Sequence, residues 1–134
     1  MKKNKRILLD MSTTLIHHGH IRLINKANKF GDVIVALTKD AEIKKYKGYK
    51  PELDFKYRKE ILENIQNVKM VIPTNFYITE KFLKKNKIDL LVHGDDNKNI
   101  IDKKKIIIFK RTKNISSSII RNRVIRNYKN EKKS

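Results

Sequence analysis

The N-terminal part of the chain shows an apolar run, a polar turn and then a periodic apolar pattern. The run at residues 7–9 precedes several hydroxyl-bearing residues, which is typical of a buried strand that ends in a turn. Apolar residues then return every three or four positions, as on one face of a helix. These residues are Ile21, Leu23, Ile24, Ala27 and Phe30. Gly31 follows where a left-handed helix cap is favourable, so the pattern predicts a strand, a loop and a helix that Gly31 ends.

The rest of the chain repeats this alternation of strand and helix. Apolar runs predict further strands at residues 32–38, 68–72, 88–92 and 105–109, with Pro73 stopping the second of these. Helices are expected at residues 55–65, 79–87 and 116–128, with Asp54 and Thr79 as caps of the first two. The side chains expected to face inward from the last helix are Ile119, Ile120, Val124 and Ile125. Residues 39–51 are interpreted as a loop.

Strands that alternate with helices predict a parallel sheet with right-handed crossover connections. In such sheets ligands bind beyond the carboxyl ends of the strands, at the point where the strand order reverses. A binding site is therefore expected at the carboxyl ends of the strands.

The turn after the first strand carries His17, His18 and His20 around Gly19. The N–H groups of the first helical turn point into such a loop, where they and the helix dipole attract anions. His17 and His20 can both lean toward an anion there, and Gly19 has no side chain to block it. We therefore predict a phosphate site. A metal site and a solvated turn are the alternatives, and the absence of cysteine and of a nearby carboxylate cluster disfavours a metal.

Composition narrows the class of protein. The 134 residues fit one domain, and the absence of cysteine excludes a disulfide framework and thiol chemistry. The basic N-terminus leads into an apolar run that Asp10 interrupts, so we expect neither a signal peptide nor a membrane span. The expected location is the cytoplasm.

The net charge of +19 raises the possibility of nucleic-acid binding. However, the lysines are spread over the whole chain, which is also rich in Ile and Asn, and no aromatic residues are interleaved with a basic stripe as a stacking platform needs. Specific nucleic-acid binding is therefore not expected. A general attraction for polyanions such as nucleoside triphosphates follows either way.

Two motifs make the chain similar to a known family. His17-His18-Gly19-His20 matches the HxGH signature of the nucleotidyltransferase superfamily. The segment RTKNISSSI at 111–119, about ninety residues later, resembles the RTxGISTTxI signature of the cytidylyltransferase branch. The resemblance covers residues 6 to about 126, and the start MSTTLIH at 11–17 is closer to the MSxxLIH form of phosphonate and phosphocholine enzymes.

The resemblance implies a Rossmann-like α/β fold, a parallel five-stranded sheet of order 3-2-1-4-5 with helices on both faces. One nucleotidyltransferase domain would span residues 1–128, followed by a disordered basic tail at 129–134. With this order, the reversal point lies between residues 11–20 and the tip His93-Gly94-Asp95-Asp96 of the fourth strand. Gly and Asp also form ordinary turns, but this tip matches the family's GDD.

The implied reaction joins CTP to a phosphorylated or phosphonylated small alcohol and gives a CDP-linked product and pyrophosphate. The acceptor's own oxyanion attacks, so the site needs hydrogen-bond donors and cations rather than a nucleophile. Mg²⁺ would be held mainly by the triphosphate, with no protein ligand identified. Pairing of two chains into a homodimer is expected, because an open sheet has exposed edges.

The resemblance also assigns roles to individual residues. The expected catalytic residues are His17, His20, Lys47 and Arg111. The expected nucleotide-binding residues are Met11, Ser12, Thr13, Gly19, Lys45, Gly94, Asp95, Asp96, Thr112, Ile115, Ser116, Ser117 and Ser118. Arg58 is expected on the acceptor side. Taken alone, the serines would be a plain helix cap, and any single lysine would be a solvated surface residue.

Two departures from the family pattern leave alternatives open. Thr14 replaces an acidic residue usually associated with the site, and Asn114 replaces a glycine but tolerates positive φ. ISSS at 115–118 with Arg121 also resembles the ISSTxxR loop of adenylyltransferases. The alternatives are therefore an adenylyltransferase of the same superfamily, or a nucleotide- or nucleic-acid-binding module that has lost catalysis.

Overall fold

The computed structural model describes residues 4–133, which form one parallel sheet flanked by helices. The strands are β1 (Arg6–Met11), β2 (Asp32–Thr38), β3 (Val68–Thr74), β4 (Leu90–Gly94) and β5 (Ile106–Phe109). The helices are α1 (His18–Asn28), α2 (Asp40–Lys47), α3 (Phe55–Glu63), α4 (Glu80–Lys85) and α5 (Ser117–Lys133), with a short 3₁₀ turn at Lys103–Lys105. The sheet order β3-β2-β1-β4-β5 and the Rossmann-like α/β class confirm the predicted fold.

Two apolar layers cover the two faces of the sheet. Ile7 and Leu9 of β1 pack on one face with Ala27 of α1. Leu8, between them in sequence, packs on the other face with Leu83 of α4. Successive side chains of a strand point to opposite faces, so a strand covered on both faces needs a continuous apolar run. This explains why β1 and β2 have no polar alternation.

The central strand β1 places the site. It pairs with β2 on one side and with β4 on the other, so the strand order reverses beside it. The carboxyl ends of β1 and β4 therefore open a crevice at Met11 and Gly94, the two tips predicted from the sequence.

Helix α2 occupies a segment that we predicted to be a loop, so that prediction is wrong for Asp40–Lys47. Its only buried residue is Ile43, which leaves no apolar periodicity for a sequence pattern to detect. The helix has acidic residues in its first turn and lysines in its last, which complements the helix dipole. It ends at Gly48, whose φ of 78° is the left-handed cap that glycine favours.

Two predicted element ends also differ from the structure. Helix α1 ends at Asn28, before Gly31, and Gly31 instead allows a close approach in the turn to β2, since a Cβ there would lie 2.3 Å from the Lys5 carbonyl oxygen. Strand β3 continues through Pro73, which pairs with Leu37. A proline is tolerated there because β3 is an edge strand of the sheet.

The C-terminal helix is longer and more exposed than predicted. It continues to Lys133, so the prediction of a disordered tail is wrong for residues 129–133. Ser134, and residues 1–3 of the predicted domain, lie outside the described residues. The apolar side chains expected to face inward are not buried: Val124 is 60% exposed and Ile125 46%, beside Tyr128 at 56%. No helix within residues 4–133 is long and apolar enough to cross a membrane.

Candidate active site

A cavity of about 540 Å³ lies at the carboxyl ends of β1 and β4. Its wall includes the start of α1, the end of α2 and the start of α5. The predicted site residues that line it are Met11, Ser12, His17, Gly19, His20, Lys47, Gly94, Asp96, Arg111, Thr112, Ile115, Ser116, Ser117 and Ser118. The fold thus brings both family motifs, more than ninety residues apart, to one site.

Three other predicted nucleotide-binding residues do not line the cavity. The side chain of Thr13 is buried, at a positive φ of 42°. Lys45 holds its ammonium 5.1 Å from the centre of the Tyr46 ring. Asp95 is exposed and accepts a hydrogen bond from Nε of Arg111 at 3.2 Å. Lys47, two residues after Lys45, does line the cavity.

The structure also does not bring Arg58, which we predicted on the acceptor side, to the cavity. Its side chain is 1% exposed. The guanidinium donates to the carbonyl oxygens of Leu53 at 3.0 Å and Ser12 at 2.7 Å, and it pairs with Asp40 at 2.5 Å. Its Nε and both Nη atoms are therefore engaged in holding α2 and α3 against the end of β1.

The two motif histidines, His17 and His20, together cap the start of helix α1. Nδ1 of His17 accepts a hydrogen bond from the Gly19 N–H at 3.0 Å, and Nδ1 of His20 accepts one from the His17 N–H at 3.1 Å. This is a capping box built from imidazoles. Because both Nδ1 atoms are acceptors, the proton of each neutral ring lies on Nε2. Each ring therefore has an Nε2–H donor for a ligand.

Both rings are kept neutral. Burial, the neighbouring His17 and the Lys47 charge lower the pKa of His20 to about 3. Burial and His18 lower the pKa of His17. Gly19 is needed for this packing, because a Cβ there would lie 2.8 Å from Cε1 of His17. At neutral pH the pair acts as hydrogen-bond donors without a charge of its own.

The start of α5 forms another part of the cavity wall, next to the histidines. Oγ of Ser116 accepts from the Ile119 N–H at 3.1 Å and so caps the helix. The Ser117 hydroxyl donates to the Leu15 carbonyl at 3.0 Å, which ties α5 to the loop before the histidines. Asn114 has a φ of 65°, so asparagine takes the conformation for which the family pattern has glycine.

A charged network that we did not predict lines part of the cavity. Nδ1 of His93 lies 2.5 Å from Oδ1 of Asp10, a carboxylate with an 8% exposed side chain. Nε2 of His93 lies 3.5 Å from Asp96, which also lies 3.6 Å from Nη1 of Arg111. Gly94 permits this packing, since a Cβ there would lie 3.0 Å from Asp96. A carboxylate inside an apolar strand was the sequence signal that could have pointed to a partner for Asp10.

The network sets the charges of its members. Burial lowers the pKa of His93, but the hydrogen bonds and charges of Asp10 and Asp96 outweigh burial and raise it to about 9. The hydrogen bond from His93 lowers the pKa of Asp96 to about 2, against the opposing effect of its burial. At neutral pH His93 is therefore an imidazolium and Asp96 is a carboxylate.

Aromatic side chains form another part of the wall that we did not predict. The rings of Tyr46 and Phe76 stack with centroids 4.8 Å apart, and Tyr77 meets both edge-on at 5.2 and 5.1 Å. All three line the cavity next to Lys47. They come from α2 and from the loop after β3, so no local sequence pattern connects them.

The described residues do not form a dedicated metal site. Within residues 4–133, no group of three or more His, Asp or Glu side chains is placed to hold an ion. The cavity carboxylates Asp10 and Asp96 are already paired with His93. Thr14, which replaces the family's acidic residue, is buried and accepts a hydrogen bond from Arg121 at 3.2 Å. These residues therefore do not fit a protein-held Mg²⁺.

Sequence comparisons agree with the motifs. The model of a family described as cytidylyltransferase-like matches residues 14–123. The chain is 36% identical over 123 residues to a glycerol-3-phosphate cytidylyltransferase of Staphylococcus aureus, spanning 87% of this chain and 92% of that protein. It is 33% identical over 101 residues to an ethanolamine-phosphate cytidylyltransferase of Arabidopsis thaliana, spanning 71% of this chain and 24% of that protein.

A solved structure shares the fold. The lipopolysaccharide core biosynthesis protein from Thermoplasma volcanium superposes with a TM-score of 0.69 at 20% identity, covering 81% of this chain and 98% of that one. At this identity the similarity concerns the architecture alone. It agrees with the strand order read from the pairing of β1 with β2 and β4.

The charged network predicts a pH-dependent stability. The pKa of His93 is raised in the folded state, so its stabilisation is fully present below about pH 6.5 and is lost as the pH rises through about 9. We expect this group to contribute about 3 kcal/mol to the free energy of unfolding at low pH. Denaturant titrations from pH 6 to 10 measure the loss.

The control for this prediction is His93→Asn, whose amide nitrogen takes the place of Nδ1 as a donor to Asp10 but does not titrate. The variant should lose this part of the pH dependence. If its unfolding free energy falls with pH as steeply as that of the parent, His93 is not the titrating group.

Proposed function

Because the chain belongs to the cytidylyltransferase-like family, we propose that it transfers the cytidylyl group of CTP to a small phosphate-bearing acceptor and releases pyrophosphate. The observation that carries this proposal is the pair of neutral imidazoles, His17 and His20, at a cavity that the start of α5 also lines. Both walls supply N–H donors for phosphate oxygens.

The transfer needs no protein nucleophile. A phosphate oxygen of the acceptor attacks the α-phosphorus of CTP, a new P–O bond forms, and the bond to the bridging oxygen of pyrophosphate breaks. A phosphate monoester is largely ionised at neutral pH, so no general base is required. The Nε2–H groups of His17 and His20 stabilise charge on the reacting phosphoryl group, and the Lys47 ammonium and the Arg111 guanidinium stabilise the leaving pyrophosphate. Catalysis then rests on position and charge.

Mg²⁺ would bind together with the triphosphate. Because the cavity carboxylates are paired with His93, the ion would be held by CTP oxygens and water.

We assign recognition of the base to the β4 tip. The Asp96 carboxylate, with its pKa lowered to about 2, is ionised and lines the cavity. It can accept from the exocyclic amine of cytosine, whereas uracil would present a carbonyl and leave two acceptors facing each other. Adenine also has an amine, so ATP is the competing nucleotide. The Arg121 guanidinium, which resembles the arginine of adenylyltransferase loops, is engaged outside the cavity lining, and this favours CTP.

Glycerol 3-phosphate is the first candidate acceptor, because the S. aureus relative named for it aligns over most of both chains. A second candidate is a phosphate or phosphonate that carries an amine. The cluster of Tyr46, Phe76 and Tyr77 supports this candidate, because a cation is attracted to the faces of aromatic rings.

The first prediction from the proposed function concerns nucleotide choice. Pyrophosphate release is measured with CTP, UTP and ATP, each with glycerol 3-phosphate, phosphocholine, phosphoethanolamine, 2-aminoethylphosphonate and phosphopantetheine. We expect turnover with CTP, and a preference over UTP of roughly ten- to a hundredfold, equivalent to about 1 to 3 kcal/mol. Turnover with ATP but not CTP would reject the proposed nucleotide. No turnover with any pair would favour a binding module.

A second prediction tests the imidazole pair. His20→Ala removes an Nε2–H donor that acts most strongly on transition-state charge, so kcat should fall by at least about a hundredfold, with a smaller change in the KM for CTP. The substitution also removes half of the α1 cap, so thermal unfolding is measured alongside. A folded variant with near-normal kcat would contradict the assigned role.

A third prediction is a homodimer. Val124, Ile125 and Tyr128 form an apolar surface on α5 that a single chain leaves exposed, and a second copy could cover it. Light scattering should show a dimer that Val124→Ser with Tyr128→Ser weakens, whereas Ile100→Ser, a change at another exposed residue, should not. With a net charge of +19 on each chain, association should strengthen with salt. A monomer at all concentrations would refute the prediction.

A further inference from the structure

Arg121 lies on the second turn of α5 and contacts residues from two distant loops. Its guanidinium forms a bidentate ion pair with Glu52, with Nε–Oε1 2.6 Å and Nη2–Oε2 3.0 Å. Nη2 also donates to Oγ1 of Thr14 at 3.2 Å. The guanidinium carbon lies 4.4 Å from the centre of the Tyr49 ring. We call Arg121, Glu52, Thr14 and Tyr49 the Arg121 clamp.

The clamp joins three segments that each carry part of the cavity wall. Thr14 lies in the loop that leads to the motif histidines. Tyr49 and Glu52 lie in the loop that follows Lys47, and Tyr49 lines the cavity. Arg121 follows, one turn later, the serines that open α5. The Arg121 side chain therefore connects the loop before the histidines, the loop after Lys47 and the start of α5.

The position of helix α2, which presents Lys47, depends on such connections. Helix α2, which ends at Lys47, buries only Ile43 and so has little apolar packing to fix its position. Its start is tied by Asp40 to the buried guanidinium of Arg58. The loop beyond its end is tied to Arg121. Two arginine ion pairs thus bracket the short helix that presents the lysine.

We propose that Arg121 is a positioning residue for Lys47, holding the loop after α2 so that the Lys47 ammonium reaches the triphosphate. The inference rests on the proposed function and adds a residue that acts from outside the cavity lining. A planar guanidinium can bind a carboxylate through two N–H groups and stack on a ring at the same time, which a lysine cannot do. The hydrogen bond from Nη2 of Arg121 to Oγ1 of Thr14 also explains why an uncharged hydroxyl residue fits at position 14.

The proposal is tested with Arg121→Ala and Arg121→Lys, with Arg123→Ala as the matched control. Arg123 is an exposed arginine two residues further along the same helix, so its loss changes the net charge equally. We expect Arg121→Ala to lower kcat/KM for CTP on the order of a hundredfold, since a misplacement of about 1 Å costs that much. Arg121→Lys should recover only part of this activity, and Arg123→Ala should stay within about twofold of the parent. Equal effects of the two alanine variants would overturn the proposal.

A double-mutant cycle shows whether Arg121 acts through Lys47. If it does, Arg121→Ala should have little further effect on kcat/KM in a Lys47→Ala background, because the group that it positions is already missing. If Arg121 had a purely structural role, the fold-losses in kcat/KM of the two substitutions would multiply. Additive free-energy effects of the two substitutions would therefore overturn the proposal.

A readout without turnover separates this inference from the proposed function. Limited trypsin digestion of the full chain should cut after Lys47 faster in Arg121→Ala than in the parent and Arg123→Ala, because the loop is released. Faster cutting in a protein that shows no turnover with any nucleotide would support the clamp and reject the proposed function. Unchanged cutting at this site would overturn the clamp even if the parent is active.

Discussion

The site depends on one local constraint, the capping of helix α1 by its own histidines. Helix starts leave backbone N–H groups without partners, and serine or aspartate usually satisfies them. Here Nδ1 atoms of His17 and His20 do so, at 3.0 and 3.1 Å. This bonding fixes each ring's orientation and tautomer together, so the structural role of the histidines creates their chemical role. Gly19 is part of the same constraint, because any side chain there would meet the His17 ring.

The fold around this junction follows from local patterns. Apolar runs and the alternation of strands with helices predicted the five parallel strands, and the two motifs placed the site at the tips of β1 and β4. These features were predictable because each is contained in a short segment. The lysine helix α2 was missed for the same reason, since one buried residue, Ile43, leaves no period to detect.

Sequence reasoning also missed polar contacts between distant segments. Asp10 pairs with His93 across 83 positions, and Arg58 reaches the Ser12 carbonyl across 46. The sequence predicted Arg58 on the acceptor side, but its burial and its three hydrogen-bonding partners give it a structural role. A local pattern can identify a charged residue, but only the fold shows whether a ligand or another residue neutralises it.

The proposed function requires the two imidazoles to meet the triphosphate as neutral Nε2–H donors, and nitrogen NMR of the histidine rings tests this requirement directly. Protonating Nδ1 of either ring would place an N–H group against the backbone N–H that now donates to it. Spectra recorded across the neutral pH range, without and with CTP, should show protonated Nε2 and unprotonated Nδ1 for His17 and His20. An imidazolium at either position in the CTP complex, or a proton on Nδ1, would contradict this role of the histidines.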